Sequence, residues 1–213
     1  MFFLMKRLSF PACGLLLVLG ASSWSYSDIA LNDMKEISRF FIDLYHSDAS
    51  NDENSEEGYK REKFGRGWLD FDGDCQNSRH ETLVSQSKIS VSFKTSNNCK
   101  VVNGEWISPF SNRHLTKASK IDIDHIVPLK WAWDRGAGEW TRFKRLNFAN
   151  DPKNLLAVEA SLNRQKGAKG PTEWLPPKNQ CDYIKKFLAV VEIYAIKFTE
   201  QNTIEKLKKS YCN

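Results

Sequence analysis

The sequence predicts an α+β domain in which a strand–strand–helix unit sits beside a small antiparallel sheet and flanking helices, stapled by disulfides. Three observations predict it. Apolar and polar residues alternate at a period of two through Lys120–Val127 and in shorter stretches before it. An apolar run, Leu155–Val158, leads into a short helical stretch that Gly167 can end. Four cysteines remain behind an apolar leader, an even number for a chain that leaves the cytosol.

The leader occupies residues 1–27. Lys6-Arg7 form its basic region, Gly14–Gly20 its apolar region and Ala21–Ser27 a small-residue zone with cleavage after Ser23 or Ser27. The apolar run is too short for roughly 30 Å of hydrocarbon, so the reading is a signal peptide, not an anchor, and no membrane partner remains after cleavage. Cys13 precedes the apolar region, the wrong place for a lipid-bearing cysteine. The formal charge of +5 falls to +3 once Lys6 and Arg7 are removed (5 minus 2), an excess too small to name a partner by itself. With 41% apolar and 27% charged residues, wholesale disorder is excluded.

Residues 28–58 read as a packing helix opened by Asp33 with Glu36 three residues on, then an acidic, turn-rich linker from Ser47. Residues 59–213 form the main domain. Its cysteines, Cys75, Cys99, Cys181 and Cys212, lack C-x-x-C spacing, so disulfides are preferred to a zinc site. Three pairings are open. The favoured one, Cys75–Cys99 with Cys181–Cys212, closes loops of about 25 to 30 residues, each worth on the order of 3 kcal/mol.

Asp70, Asp72 and Asp74 suggest a calcium loop, but Cys75 stands sixth, where an EF-hand needs Gly. Arg79 and Glu81 read as a structural ion pair first and a substrate-side contact second, and His80 and His114 as surface histidines. Lys88–Phe93 alternates as a strand, and Lys100–Ile107 reads as a hairpin turning at Asn103-Gly104. Leu129–Trp133 begins a helix that Gly136–Gly138 interrupts. Trp140–Phe148, with Arg142, Lys144 and Arg145 among aromatics, suits phosphate contact and an ordinary helical face equally. Trp174–Pro177 forms a rigid corner, and Asp182–Phe198 an amphipathic, core-covering helix.

The chemistry centres on Lys120–Pro128. Ile121 and Ile123 share one strand face and Asp122 and Asp124 the other, and the strand ends in His125 before Pro128. An Asp beside a His sets a hard oxygen ligand next to a titratable base, the pair that metal-assisted phosphodiester cleavage needs. Leu155–Val158 can pair with this strand, so that His125, Asn154 and Asn163 converge.

That ordered set, with Lys166, resembles the motif of the His-Asn-His (HNH, ββα-metal) endonucleases, Asn163 standing where the family name has a third His. The Asn163-Arg-x-Lys166 run resembles the HNH domain of RNA-guided DNA endonucleases. Trp68, Asp70, Asp72, Cys75, Arg79, Glu81, the Phe148–Val158 block and Trp174–Pro177 resemble an exported branch related to the GmrSD C-terminal domain. The likeness covers about residues 59–198.

The resemblance implies a secreted or periplasmic, metal-dependent endonuclease of little sequence specificity, acting on DNA first and RNA second. In it His125 is the general base and Asn154 fixes the hairpin and orients His125. Asp124 and Asn163 hold the metal, with Asp122 behind them. Lys166 and Arg164 contact phosphate as sequence-independent charges. Hard oxygen ligands favour Mg²⁺, then Mn²⁺. The alternative is a non-catalytic nucleic-acid-binding or interaction module on the same fold.

Overall fold

The computed structural model describes residues 58–212; the expected leader, the helix opened by Asp33 and nearly all of the acidic linker lie outside the described residues. Helix α1 (Ser78–Gln86) opens the regular structure, capped by Asn77, whose side chain accepts from the His80 N–H. Strands β1 (Ser92–Phe93), β2 (Val101–Ile107) and β3 (His114–Lys117) follow as an antiparallel sheet in that order. A second, two-stranded sheet pairs β4 (Ile121–His125) with β5 (Leu155–Glu159), Ile121 opposite Glu159 and His125 opposite Leu155. Between them run α2 (Leu129–Trp133) and α3 (Arg142–Asn150). Helix α4 (Ala160–Lys166) follows β5 without a loop, and α5 (Gln180–Ile193) and α6 (Gln201–Tyr211) complete the chain. The α+β class and the strand–strand–helix order are those read from the sequence. Among the described residues no helix is long and apolar enough to cross a membrane.

The β4–β5 ribbon divides two cores because a strand sends alternate side chains to opposite faces. Ile121, Ile123, Leu155 and Ala157 join Trp106 and Leu83 in the smaller cluster. Leu156 and Val158 join Phe148, Ile184 and Phe187 in the larger one. Both outer edges of the ribbon are met by side chains of α1. Arg79 donates to the Ala118 and Ile121 carbonyls at 3.1 and 2.8 Å. Gln86 mimics a strand beside β5, its Nε2 donating to the Leu155 carbonyl at 3.0 Å and its Oε1 accepting from the Ala157 N–H at 2.9 Å.

Two strand expectations need correction. Residues 101–107 form one continuous strand, not a hairpin turning at Asn103-Gly104. Gly104 is required for close approach: a Cβ there would lie 2.6 Å from the Trp106 ring and 2.9 Å from the Ser87 hydroxyl. The register slips between Asn103 and Trp106, which absorbs the glycine within the ladder. Of Lys88–Phe93, only Ser92 and Phe93 form a strand; Lys88 bonds to the Glu105 carbonyl from irregular backbone.

The disulfides are Cys75–Cys99 and Cys181–Cys212, the neighbour pairing. The second ties α5 to the end of α6, a helix the sequence reading did not foresee. Helix α5 is shorter than expected, ending at Ile193 before Ala195 takes a positive φ of 52°. In the basic, aromatic stretch at 140–148, Lys144 and Arg145 make internal contacts and Arg142 is exposed. Arg145, 3% exposed, donates to the Lys63, Gly138 and Trp140 carbonyls, and Lys144 lies 4.3 Å over the Trp140 ring.

Candidate active site

Asn154 builds the frame of the site from the end of the α3–β5 connection. Fully buried, it accepts the Val127 N–H on Oδ1 and the Ile126 N–H on its carbonyl, both at 2.8 Å, and donates to the Phe148 carbonyl at 3.2 Å. The chain leaving β4 is thereby fixed to the end of α3. Asn154 does not border the cleft beside β4. Its Ala variant would orphan the buried Val127 N–H, at about 1–3 kcal/mol, and leave the Phe148 carbonyl without this donor, while the Ile126 bond to the backbone carbonyl would stay.

His125 ends β4, 7% exposed, with Nε2 2.8 Å from the Ala149 carbonyl. A carbonyl only accepts, so Nε2 carries the hydrogen and the neutral ring keeps its lone pair on Nδ1. The Trp68 indole stacks on the imidazole at 5.3 Å and 13°. Trp68 is held in turn because Leu69 donates to the Asn150 side chain at 3.0 Å. Consecutive residues of α3, Ala149 and Asn150, therefore orient the imidazole and the ring covering it. Burial above all drives the His125 pKa down to about 3, against the Ala149 hydrogen bond, with Arg61 and Lys166 adding to the fall. The imidazole is neutral at pH 7.

On the opposite face of β4, Asp124 and Asp122 meet α4. The Lys166 ammonium, 0% exposed, donates to Asp124 Oδ1 at 2.9 Å and to the His125 carbonyl at 2.8 Å. Burial raises the Asp124 carboxyl and lowers the Lys166 ammonium; each partner's charge opposes the shift of the other. Asp124 Oδ2 is buried without a hydrogen-bond partner. Asn163 Nδ2 donates to Asp122 Oδ2 at 3.2 Å, which sets the Asn163 amide by way of Asp122.

Asp124, His125 and Asn163 border one open cleft of about 330 Å³. Tyr59, Arg61 and Lys130 border it too, and none of these was singled out from the sequence. Arg61 and Tyr59 lie 60 and 62 residues before the start of β4 (121 minus 61 and 121 minus 59), so no local spacing could have joined them to it. Lys166 is absent from the cleft wall, and its buried ammonium is already engaged, so the expected phosphate contact is not where this side chain lies. Arg164 is exposed on α4 and does not border the cleft either.

The donor set suits a hard divalent cation. An unpartnered buried carboxylate oxygen and an amide bordering the same cleft are oxygen donors of the kind Mg²⁺ and Mn²⁺ accept. Asp124 and Asn163 are the residues that could hold it.

Residues 76–209 match the family model described as GmrSD restriction endonucleases, C-terminal domain. An "uncharacterized secreted protein" of Arthroderma benhamiae is 38% identical over 148 residues, covering 68% of this chain and 70% of the relative. No solved structure matches the chain. Two disulfides and a secreted relative agree with an exported protein. The family match takes in both strands of the ribbon, α4 and every residue named above from Asp122 to Lys166; this chain belongs to the GmrSD restriction endonuclease C-terminal domain family.

Proposed function

We propose that the chain is an exported, metal-dependent endonuclease that hydrolyses phosphodiester bonds of DNA, with RNA as the second substrate, at little sequence specificity and leaving a 5′-phosphate. The observation that carries the reading is one cleft bordered by a neutral, oriented imidazole and a carboxylate with a buried, unpartnered oxygen.

His125 Nδ1 takes a proton from the attacking water, its ring fixed by Ala149 and Trp68. Asp124 and Asn163 hold the cation, with Asp122 setting the Asn163 amide. A bound Mg²⁺ or Mn²⁺ supplies positive charge to the phosphate and the leaving 3′-oxygen. Arg61 takes the phosphate-binding role first expected of Lys166: it is exposed at the cleft and has no hydrogen-bond or ion-pair partner among the described residues. Lys130 stands on the same rim, bonded at 2.8 Å to Asp134. Sequence-independent phosphate contacts of this kind agree with low specificity.

Cleavage of a supercoiled plasmid with Mg²⁺, with EDTA and by His125→Ala tests the reading. Nicking that needs Mg²⁺ and disappears in the variant supports it; undiminished cleavage by His125→Ala removes His125 from the mechanism. The Lys166 ammonium already on Asp124 Oδ1 favours a second reading, a binding module without turnover. Nucleic-acid binding indifferent to chelation, with no cleavage, would select that one.

A further inference from the structure

A lysine with no exposed surface calls for an explanation, since burying an ammonium costs several kcal/mol unless its partners are well placed. A methionine would fill similar volume in α4 without that cost. Lys166 makes two bonds, both to the end of β4: one to Asp124 Oδ1 and one to the His125 carbonyl. Among the described residues Asp124 has no other side-chain partner, and its second oxygen has none at all. Without the ammonium, a carboxylate only 5% exposed would stand uncompensated whenever the cleft held no cation.

We infer that Lys166 is the resident counter-charge of Asp124, a positioning residue that lets the site fold complete before any metal arrives and lowers the affinity with which metal then binds. The inference rests on the reading of Asp124 as a metal ligand. An ammonium and a divalent ion sharing one carboxylate repel each other at a few ångströms in a poorly screened site. The same group that stabilises the empty site thus opposes its filling, and metal binding is uncoupled from folding.

The test compares wild type, Lys166→Met, Asp124→Asn and the Asp124→Asn/Lys166→Met double variant. Thermal melting is followed in EDTA and in saturating Mn²⁺, with calorimetric Mn²⁺ titration alongside. In EDTA, Lys166→Met melts on the order of 10 °C below wild type, and the double variant, which has lost both charges, melts above Lys166→Met. Mn²⁺ raises the melting point of Lys166→Met more than that of wild type, and the variant binds Mn²⁺ at least about tenfold more tightly. An equal loss with and without Mn²⁺, or weaker Mn²⁺ binding, overturns the inference. Should Lys166→Met fail to fold in EDTA, recovery of folded protein in Mn²⁺ supports it and failure in both overturns it. The metal reading is judged separately, by whether the wild-type Mn²⁺ heat disappears in Asp124→Asn. If wild type gives no such heat, both fall; if it does and Lys166→Met binds no tighter, only the counter-charge falls.

Discussion

Two groups of aspartates, Asp70-Asp72-Asp74 and Asp122-Asp124, share the same alternate spacing and differ in what surrounds their oxygens. The first is the richer in charge, with three exposed carboxylates whose ligand atoms lie within 4.8 Å of one another. Yet its oxygens are engaged by the loop's own amides. Asp70 accepts from Gly73 and Cys75, both at 2.9 Å, and Asp74 accepts from Gln76 at 2.6 Å. These acids shape a turn closed by Cys75–Cys99. The second group has fewer carboxylates, Asp122 half-buried and Asp124 buried, both met by α4, and Asp124 keeps one oxygen without a hydrogen-bond partner among the described residues. The proposed cation site rests on that unpaired oxygen, not on the number of acids.

The largest effect expected from this contrast comes from Asp124→Asn. Cleavage falls at least about a thousandfold at saturating Mg²⁺, read by plasmid nicking on protein shown folded by its melting curve. Retained activity would break the comparison outright. Arg61→Ala comes next, a loss of about ten- to a hundredfold in kcat/KM on a short duplex, because a charged phosphate contact is removed while base and ligands stay. No change would take Arg61 out of substrate binding.

Acid separates the regions in a third way. The folded His125 pKa of about 3 lies below the ordinary 6.5, so between these values the unfolded chain binds the extra proton. The stability tied to His125 is complete above pH 6.5 and is lost as pH falls toward 3. Asp124, raised by burial, titrates in the opposite sense in wild type and variant alike, so the His125 loss is read as the difference between the two from pH 6.5 downward. Urea melts of wild type and His125→Gln should converge over that interval; parallel curves would mean the imidazole is not buried neutral. The smallest effect is that of Asp72→Asn: activity within about twofold of wild type, since an exposed turn acid touches neither cleft nor core. A loss comparable to that of Asp124→Asn would move the metal site to the loop.

Much of this was legible from the sequence where the signal is local. The Ile121–His125 alternation, the apolar run from Leu155 and Gly167 at the end of α4 each depend on neighbours within a few residues, and their elements stand as read. Neighbour pairing of the cysteines follows the same logic of short loops. Gly104 misled because one residue type serves both turns and close approach, and only the Trp106 ring decides between them. Lys166 misled because a lysine near a helix end ordinarily reaches solvent, whereas this one turns under Asp124. Arg61, Tyr59 and Trp68 escaped notice as site residues because their contacts with the cleft are long-range.

The Gln86 amide has a bearing on how copies of this chain behave together. By holding the Leu155 carbonyl and Ala157 N–H, it seals the flank where another molecule's backbone could dock. Exported chains fold in crowded surroundings, and an unsealed flank beside the β4–β5 ribbon would be adhesive. A leucine at this position would leave both groups bare, and light scattering that climbs with protein concentration would register the loss.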